Sequence, residues 1–484
     1  LYVGLIIRNY RQRRPFAPVA GLVLGLAAQS HIIAPIVLVI TTLPLVVAPA
    51  FAWLSRSRTF SEIRDGALGV ASSWIVGFAI SAFFTLALGV RVLEGMTSDM
   101  GWAPVRTIVG AYQAPGSPLP GELIPVLVIA VVGIVWTLFR RDDVSLLLWM
   151  TLWPLAGYFV IAHFEWTILY NARLLPYWFF GLYTFAGLAI GLTAVAIGRR
   201  FAERRRATLI AATAAVVLMV ATVAVSMHDL PGWVKWNYEG YEGKQDWPEY
   251  ENLMATVDEL PDGRIMWEAN SEMNRYGTPM ALMLFPFWSE GHPSMEGLFF
   301  ESSLTTPFHF LNAAEVSARP SNPVRGLTYR SLDFDRATKH LAVYDVAYYV
   351  SWTDEARSEA EAFGLEVLAE PDPWTVFALP ESDLIDVATM EPVVWAGDAD
   401  FVDAALEWYD DVDNLDAWLV EDGPAEWRRV TSVDERLLNQ RPYAATTSSV
   451  TVTTFEDHEV SFTTDAAGVP HLVKVSYFPN WRAE

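Results

Sequence analysis

Arginine, with no lysine at all, punctuates the apolar half of this chain. Seven apolar stretches occupy residues 16–30, 32–54, 67–90, 123–139, 144–162, 174–198 and 207–227. An α-helix rises about 1.5 Å per residue, so ~20 mostly apolar residues cross ~30 Å of hydrocarbon. The first stretch is shorter than that and reads as half of a helical hairpin turning at His31. If every stretch crosses, 14 of the 17 arginines fall on one side, leaving Arg91, Arg106 and Arg173 on the other. Arginine-rich loops stay cytoplasmic. The pattern therefore predicts a multi-pass plasma-membrane protein with everything after residue 227 extracytoplasmic.

The charge balance divides the chain at the same place. Residues 1–227 carry 17 Arg, no Lys and 9 acids, a balance of +8. Residues 228–484 carry 16 basic residues against 47 acids, a balance of −31. A half this acidic repels nucleic acid, so no nucleic-acid partner is expected. The absence of cysteine excludes disulfides, thiolate metal sites and thiol catalysis. The opening "LYVGLII" looks like the tail of an apolar helix, so the chain is expected to be a fragment lacking its N-terminal part.

The outer half divides in two by pattern. Over 228–385, "WPEYENLMATVDEL" and "DFDRATKHLAVY" have helical spacing, each followed by a strand, "GRIMWEA" and "DVAYYVSW". A helix near 354–363 and strands near 365–369 and 374–379 follow, which predicts an α/β domain with a short parallel sheet. "MALMLFPFW" (280–288) is too short to span a membrane and reads as a buried strand. Over 386–484, "SSVTVTTF", "HEVSFTTD" and "HLVKVSYF" alternate apolar and polar residues. They predict an antiparallel, sandwich-like β module, expected to be truncated at its end. The fold class is thus a multi-span helical membrane domain, then a mixed α/β domain, then a β-rich module.

Candidate chemistry gathers on the outer loops. In "HFEWTILYNARLLPYW", His163, Glu165, Asn171 and Arg173 lie between two apolar stretches. A carboxylate there would serve as a base and an arginine would hold a phosphate by paired hydrogen bonds. The plainer reading is a set of helix-end caps with aromatic anchors at headgroup level. The loop 91–122 brings Asp99, Trp102 and Arg106 together, which suits a sugar phosphate or serves as a solvated connector. Gly21 and Gly25 suit close helix packing. His31 would touch a ligand at the hairpin tip or cap a helix.

Elsewhere the plain readings prevail. The aromatics of "NYEGYEGKQDWPEY" suit sugar stacking or an interfacial belt. His292 and Glu296 have a loose metal spacing, with a satisfied buried network as the plainer reading. The acidic tract 398–418 lacks the glycine and closing glutamate of a calcium loop and reads as a solvated surface. No Walker loop, dinucleotide fingerprint or nucleophile elbow occurs.

Taken together, the "GLVLGLAAQSH" hairpin, the "YNARLLPYWFFGLY" span and the outer domain resemble the GT-C superfamily of polytopic membrane glycosyltransferases. "GYEGKQDWPEY", "NRYGTPMALMLFPFW", "MEGLFFESSLTTPFHF" and "VKVSYFPNWRAE" resemble two families in particular. These are actinobacterial membrane proteins labelled as related to 6-pyruvoyl-tetrahydropterin synthase, and the YfhO-like family. The resemblance implies a polyprenyl-phosphate sugar donor, an envelope glycan acceptor and a membrane lipid environment. It also implies an acidic base on a first outer loop, which no residue of this chain matches. Within the chain the expectation falls on Glu165 and Asp99 as acids for the acceptor or a divalent cation. Arg173 and Arg106 would hold phosphate, Trp102 would stack on the sugar, and Asn171, His163 and His31 would line the site. The alternative is a non-catalytic envelope protein whose outer domain binds a glycan or a protein partner.

Overall fold

The computed structural model describes residues 1–47, 60–93, 118–119, 121–139, 145–161, 171–200, 203–226, 229–289, 291–295, 305–324, 326–443, 449–456, 458–477 and 481–484. The chain divides into two compact units. One comprises 1–95 with 102–231, and the other 96–101 with 232–484.

The first unit is helical. In chain order it contains α1 (Tyr2–Arg11), α2 (Pro18–Ser30), α3 (Ile33–Thr42), α4 (Phe60–Leu93), α5 (Ile124–Phe139), α6 (Ser145–Ile161), α7 (Leu175–Gly198) and α8 (Arg204–Ser226). Two stretches, Arg64–Ala87 and Asn171–Gly198, are long and apolar enough to cross a membrane. The apolar helices Pro18–Ser30, Ile33–Val47, Ile124–Phe139 and Ser145–Ile161 are shorter. Small residues line the inward side of α2, and many large apolar ones of the other helices face outward. Ala17, Ala20, Gly21 and Gly25 are buried, while Ile75, Phe83, Phe180 and Leu209 are exposed. Water disfavours so large an apolar surface, whereas lipid accepts it. Where lipid removes the hydrophobic drive between helices, small residues let backbones approach. A Cβ added at Gly21 would come 2.5 Å from the Val76 Cβ, and one at Gly25 would come 2.8 Å from that of Ile80. The glycine pair is therefore where α2 closes on α4.

After α9 (Leu230–Tyr238), which crosses the boundary at 231/232, the second unit contains α10 (Trp247–Asp258), then β1 (Arg264–Trp267), α11 (Phe285–Trp288), α12 (Thr306–Glu315) and α13 (Phe334–Val343). There follow β2 (Val346–Ser351), α14 (Asp354–Phe363), β3 (Glu366–Ala369) and β4 (Thr375–Ala378). The strands form one sheet in the order β1-β2-β4-β3. Tyr348 and Val350 face a core built with α10, while Tyr349 faces a second core under α12 and α13. Glu268, fully buried beyond β1, accepts from the backbone N–H groups of Trp352 and Thr353, both at 2.8 Å. It ties the end of β1 to the start of α14. Gly364 ends that helix with a left-handed φ of 101°.

Three local expectations change here. The sheet is mixed, with only β1 and β2 parallel and both other pairs antiparallel. The link from Ala369 to Thr375 is too short for a crossover, which takes about a dozen residues. The segment 280–288 is not a strand but a 3₁₀ turn, Ala281–Leu284, running into α11. Pro286 lacks the N–H that a central strand needs. The aromatics of 237–250 divide between two environments. Tyr238 is exposed, whereas Tyr241, Trp247 and Tyr250 pack into the α10 core and form no interfacial belt.

The last module contains β5 (Ile385–Val387), β6 (Val393–Trp395), α15 (Phe401–Asp410), β7 (Leu419–Val420), β8 (Arg429–Val430), β9 (Val450–Glu456), β10 (Glu459–Thr464) and β11 (His471–Val473). β9 and β10 form the expected antiparallel hairpin. β11 leaves it to pair antiparallel with β5. Pro470 cannot donate to a ladder, and its carbonyl accepts from Ala388 N–H at 2.9 Å. β7, β6 and β8 form a parallel sheet, so the module is not a purely antiparallel sandwich.

The acidic tract 398–418 is not simply a solvated surface. Asp400 caps α15, whose Ala404 and Tyr409 are buried. Arg330 holds the Asp410 carboxylate through two oxygens, at 2.8 and 2.9 Å. Arg336 reaches Asp410 at 3.1 Å and Glu315 at 3.2 Å. His340 lies beneath, its side chain 1% exposed and that of Glu315 2%. Its Nδ1 meets Glu315 Oε2 and its Nε2 meets the Tyr409 carbonyl, both at 2.7 Å. The Tyr409 ring stacks on the imidazole at 3.8 Å. Each ring nitrogen thus has a partner, the Glu315 carboxylate on one side and the Tyr409 carbonyl on the other.

Stranding a buried hydrogen-bond partner costs ~1–3 kcal/mol. Glu315→Ala and His340→Ala are each expected to destabilise the second unit by about that amount in denaturant titrations followed by tryptophan fluorescence. Lys339→Ala removes an exposed pair to Asp413 and should leave the midpoint in place. Asp411 supplies a pH test. Burial alone would raise its carboxyl, but hydrogen bonds from Asn414 and Arg436 and the Arg436 charge outweigh burial and lower it below 3.8. A lowered folded pKa means the unfolded state binds the proton more readily. The stabilisation is therefore present above the ordinary carboxylate value and lost as pH falls through the folded one. The stability gap between the protein and Asp411→Asn should be open at neutral pH and close in acid.

Candidate functional site

Of the residues expected to carry chemistry, Asp99, Trp102, Arg106, His163 and Glu165 lie outside the described residues. Asn171 is fully buried and donates from Nδ2 to the Tyr158 carbonyl at 2.8 Å. It thereby stitches the 3₁₀ turn Asn171–Leu174 to α6. Arg173 is exposed in that turn. His31 is exposed, and its Nδ1 accepts from Ile33 N–H at 3.2 Å, at the start of α3. These contacts hold helix ends and do not bring the three side chains into one site. His292 is buried between Ser289 Oγ at 2.9 Å and the Pro261 carbonyl at 3.1 Å, while Glu296 lies outside the described residues. No group of three or more His, Asp or Glu that could hold a metal ion occurs among the described residues.

The second unit offers a different site. A cleft of about 910 Å³ opens between the C-terminal half of α13, the chain from Glu381 to Thr389, and the segment after α15. Its backbone wall includes 385–389. β11 pairs along one side of this segment, and Tyr443 N–H donates to Thr389 O at 3.0 Å on the other. Val450, Val452, Val469 and Leu472 supply an apolar floor. Trp408, Trp418 and Tyr443 bring aromatic surface. Trp408 is oriented by its indole N–H, which donates to Ala417 O at 3.1 Å.

The polar lining is mostly acidic. Glu381, Asp383, Asp386 and Asp416 line the cleft with Lys339 and Lys474. The β5–β11 register pairs Leu472 with Asp386, and Lys474, just past β11, places its Nζ 3.0 Å from Asp386 Oδ1. Burial raises the Asp386 carboxyl above its ordinary value. Lys474 opposes that rise, and Asp383 and Asp345 add to it. Burial also raises the Tyr443 phenol, with Glu391 adding to the effect, so the hydroxyl keeps its proton and can donate. Ring faces, an apolar floor and a few convergent polar groups are the usual make-up of a small-molecule site.

Two other cavities are less suited to a ligand. The pocket of about 290 Å³ beside α15 is lined by Glu315, Arg330, Arg336, His340 and Asp410, whose charges already satisfy one another. A smaller cleft of about 710 Å³ has Phe455 and Trp481 in its lining, but its arginine, Arg264, is already bonded to Lys474 O at 3.2 Å. None of the eight expected residues lines the large cleft. Its aromatics stood in the acidic tract and beyond, where sequence spacing offered only Phe401, Ala404 and Trp408 as a helical face.

No protein-family model, no curated protein and no solved structure matches this chain.

Proposed function

We propose that the chain is a multi-pass envelope protein whose extracytoplasmic second unit binds a glycan in the cleft of Trp408, Trp418 and Tyr443. The cleft carries this reading. Sugar rings present C–H faces that pack on indole and phenol rings, and their hydroxyls donate to carboxylates such as Asp383 and Asp416. The volume of about 910 Å³ accommodates several sugar units. The reading is non-catalytic. It keeps the envelope-glycan setting that the glycosyltransferase resemblance implies, with the helical unit as the anchor.

The orientation is supported by the arginine asymmetry, 14 on one side against three on the other, and the lipid setting by the exposed apolar side chains of α4 and α7. A periplasm-active reporter fused after residue 230 is expected to be active, and a silent fusion would overturn the topology. Binding is tested on the full chain in detergent by fluorescence titration with oligosaccharides. Trp418→Ala is expected to weaken binding by at least about tenfold, ~1.4 kcal/mol. Unchanged affinity would remove the cleft as the glycan site.

A further inference from the structure

The charge of the cleft selects among glycans, an inference that rests on the glycan reading above. Four carboxylates line it against two ammonium groups, and both ammonium groups are already engaged. Lys474 is held by Asp386, and Lys339 is held by Asp335 and Asp413. Among the described residues, Glu381, Asp383 and Asp416 have no ion-pair partner within 4.0 Å. The aromatic lining adds a second attraction for a cation, because indole and phenol faces carry negative quadrupole density.

The chain itself shows that the lining tolerates an ammonium. The Lys474 side chain is 2% exposed, and its charge rests against Asp386. Burying an ammonium is costly without such compensation. The surroundings reinforce the sign, since residues 228–484 carry a balance of −31. An anionic saccharide would enter against this field. A neutral N-acetylated sugar would stack on the rings but leave the three free carboxylates without a cation.

We propose that the ligand is an oligosaccharide bearing free amines, whose ammonium groups are received by Glu381, Asp383 and Asp416 while its rings stack on Trp408 and Trp418. Each ammonium offers three N–H donors, which charged acceptors bind more strongly than neutral ones. The arrangement makes the amine the specificity element and the ring face the general one.

The test uses the full chain in nanodiscs of zwitterionic lipid, titrated calorimetrically with three probes of equal length. These are a glucosamine oligosaccharide, its fully N-acetylated form and a galacturonic acid oligosaccharide. The glucosamine form is expected to bind at least about tenfold more tightly than the N-acetylated form, with the gap narrowing as salt is raised. The galacturonic form is expected to bind weakest. Asp383→Asn and Asp416→Asn should each narrow the gap. Glu359→Gln, on α14 and outside the cleft lining, should not. If a cleft variant fails to fold, the salt series on the unmodified chain still decides.

Equal affinity for the amine and N-acetyl forms would overturn this inference and leave the glycan reading standing. A preference that Glu359→Gln reduces as much as Asp416→Asn does would mark general attraction to an acidic surface and overturn it too. No saccharide binding at all, or binding of butane-1,4-diamine as tight as that of the amino-oligosaccharide, would remove the glycan reading and this inference together.

Discussion

The second unit depends on one buried polar contact, the imidazole of His340 held between Glu315 and the Tyr409 carbonyl. Desolvating charged groups is expensive, and the expense is offset only when every lone pair and proton finds a partner. Here Glu315 takes His340 on one oxygen and Arg336 on the other, while Asp410 takes Arg336 and Arg330. The cluster joins α12, α13 and α15, elements far apart in the chain. Removing Glu315 or His340 strands a polar partner that water cannot reach, their side chains being 2% and 1% exposed.

The cleft inherits its shape from that contact. One wall is α13 near Lys339 and Ala342, and another is the end of α15 with Trp408 and the segment to Trp418. His340 and Tyr409, which bind those walls together, are each adjacent in sequence to a cleft residue. The electrostatics divide accordingly. Arginines consume the acids on the His340 side, whereas on the cleft side only Asp386 of the lining carboxylates has its own cation. The first unit works by the opposite principle, with glycines admitting close helix contact and large apolar side chains turned outward.

Much of the local structure was legible from periodicity. The helix at 354–363 and the strands around β1, β2, β3 and β4 lie where spacing put them, because each buries one face and short-range pattern reports that face. Pattern misled at 280–288, where continuous apolar residues suit a strand or a buried turn equally and Pro286 decided for the turn. It also misled at 398–418, where acid density hid the Phe401, Ala404 and Trp408 face of α15. Of the expected site residues, only His31, Asn171 and Arg173 lie among the described residues, and there they sit at helix ends. The cleft residues carry no local motif, so no spacing rule could gather them.

By itself, the sequence determined the division into an apolar, arginine-punctuated half and an acidic half, along with most helix and strand positions. Hydropathy and charge are local, additive properties, and they survive without knowledge of the fold. Only the tertiary structure decided which strands pair, that β11 leaves its hairpin for β5, and that acids of one tract meet arginines from 330 to 436. It also decided which carboxylates are left without a cation beside Trp408 and Trp418. Pairing and neutralisation are choices among many chemically equivalent partners, and packing in three dimensions makes them.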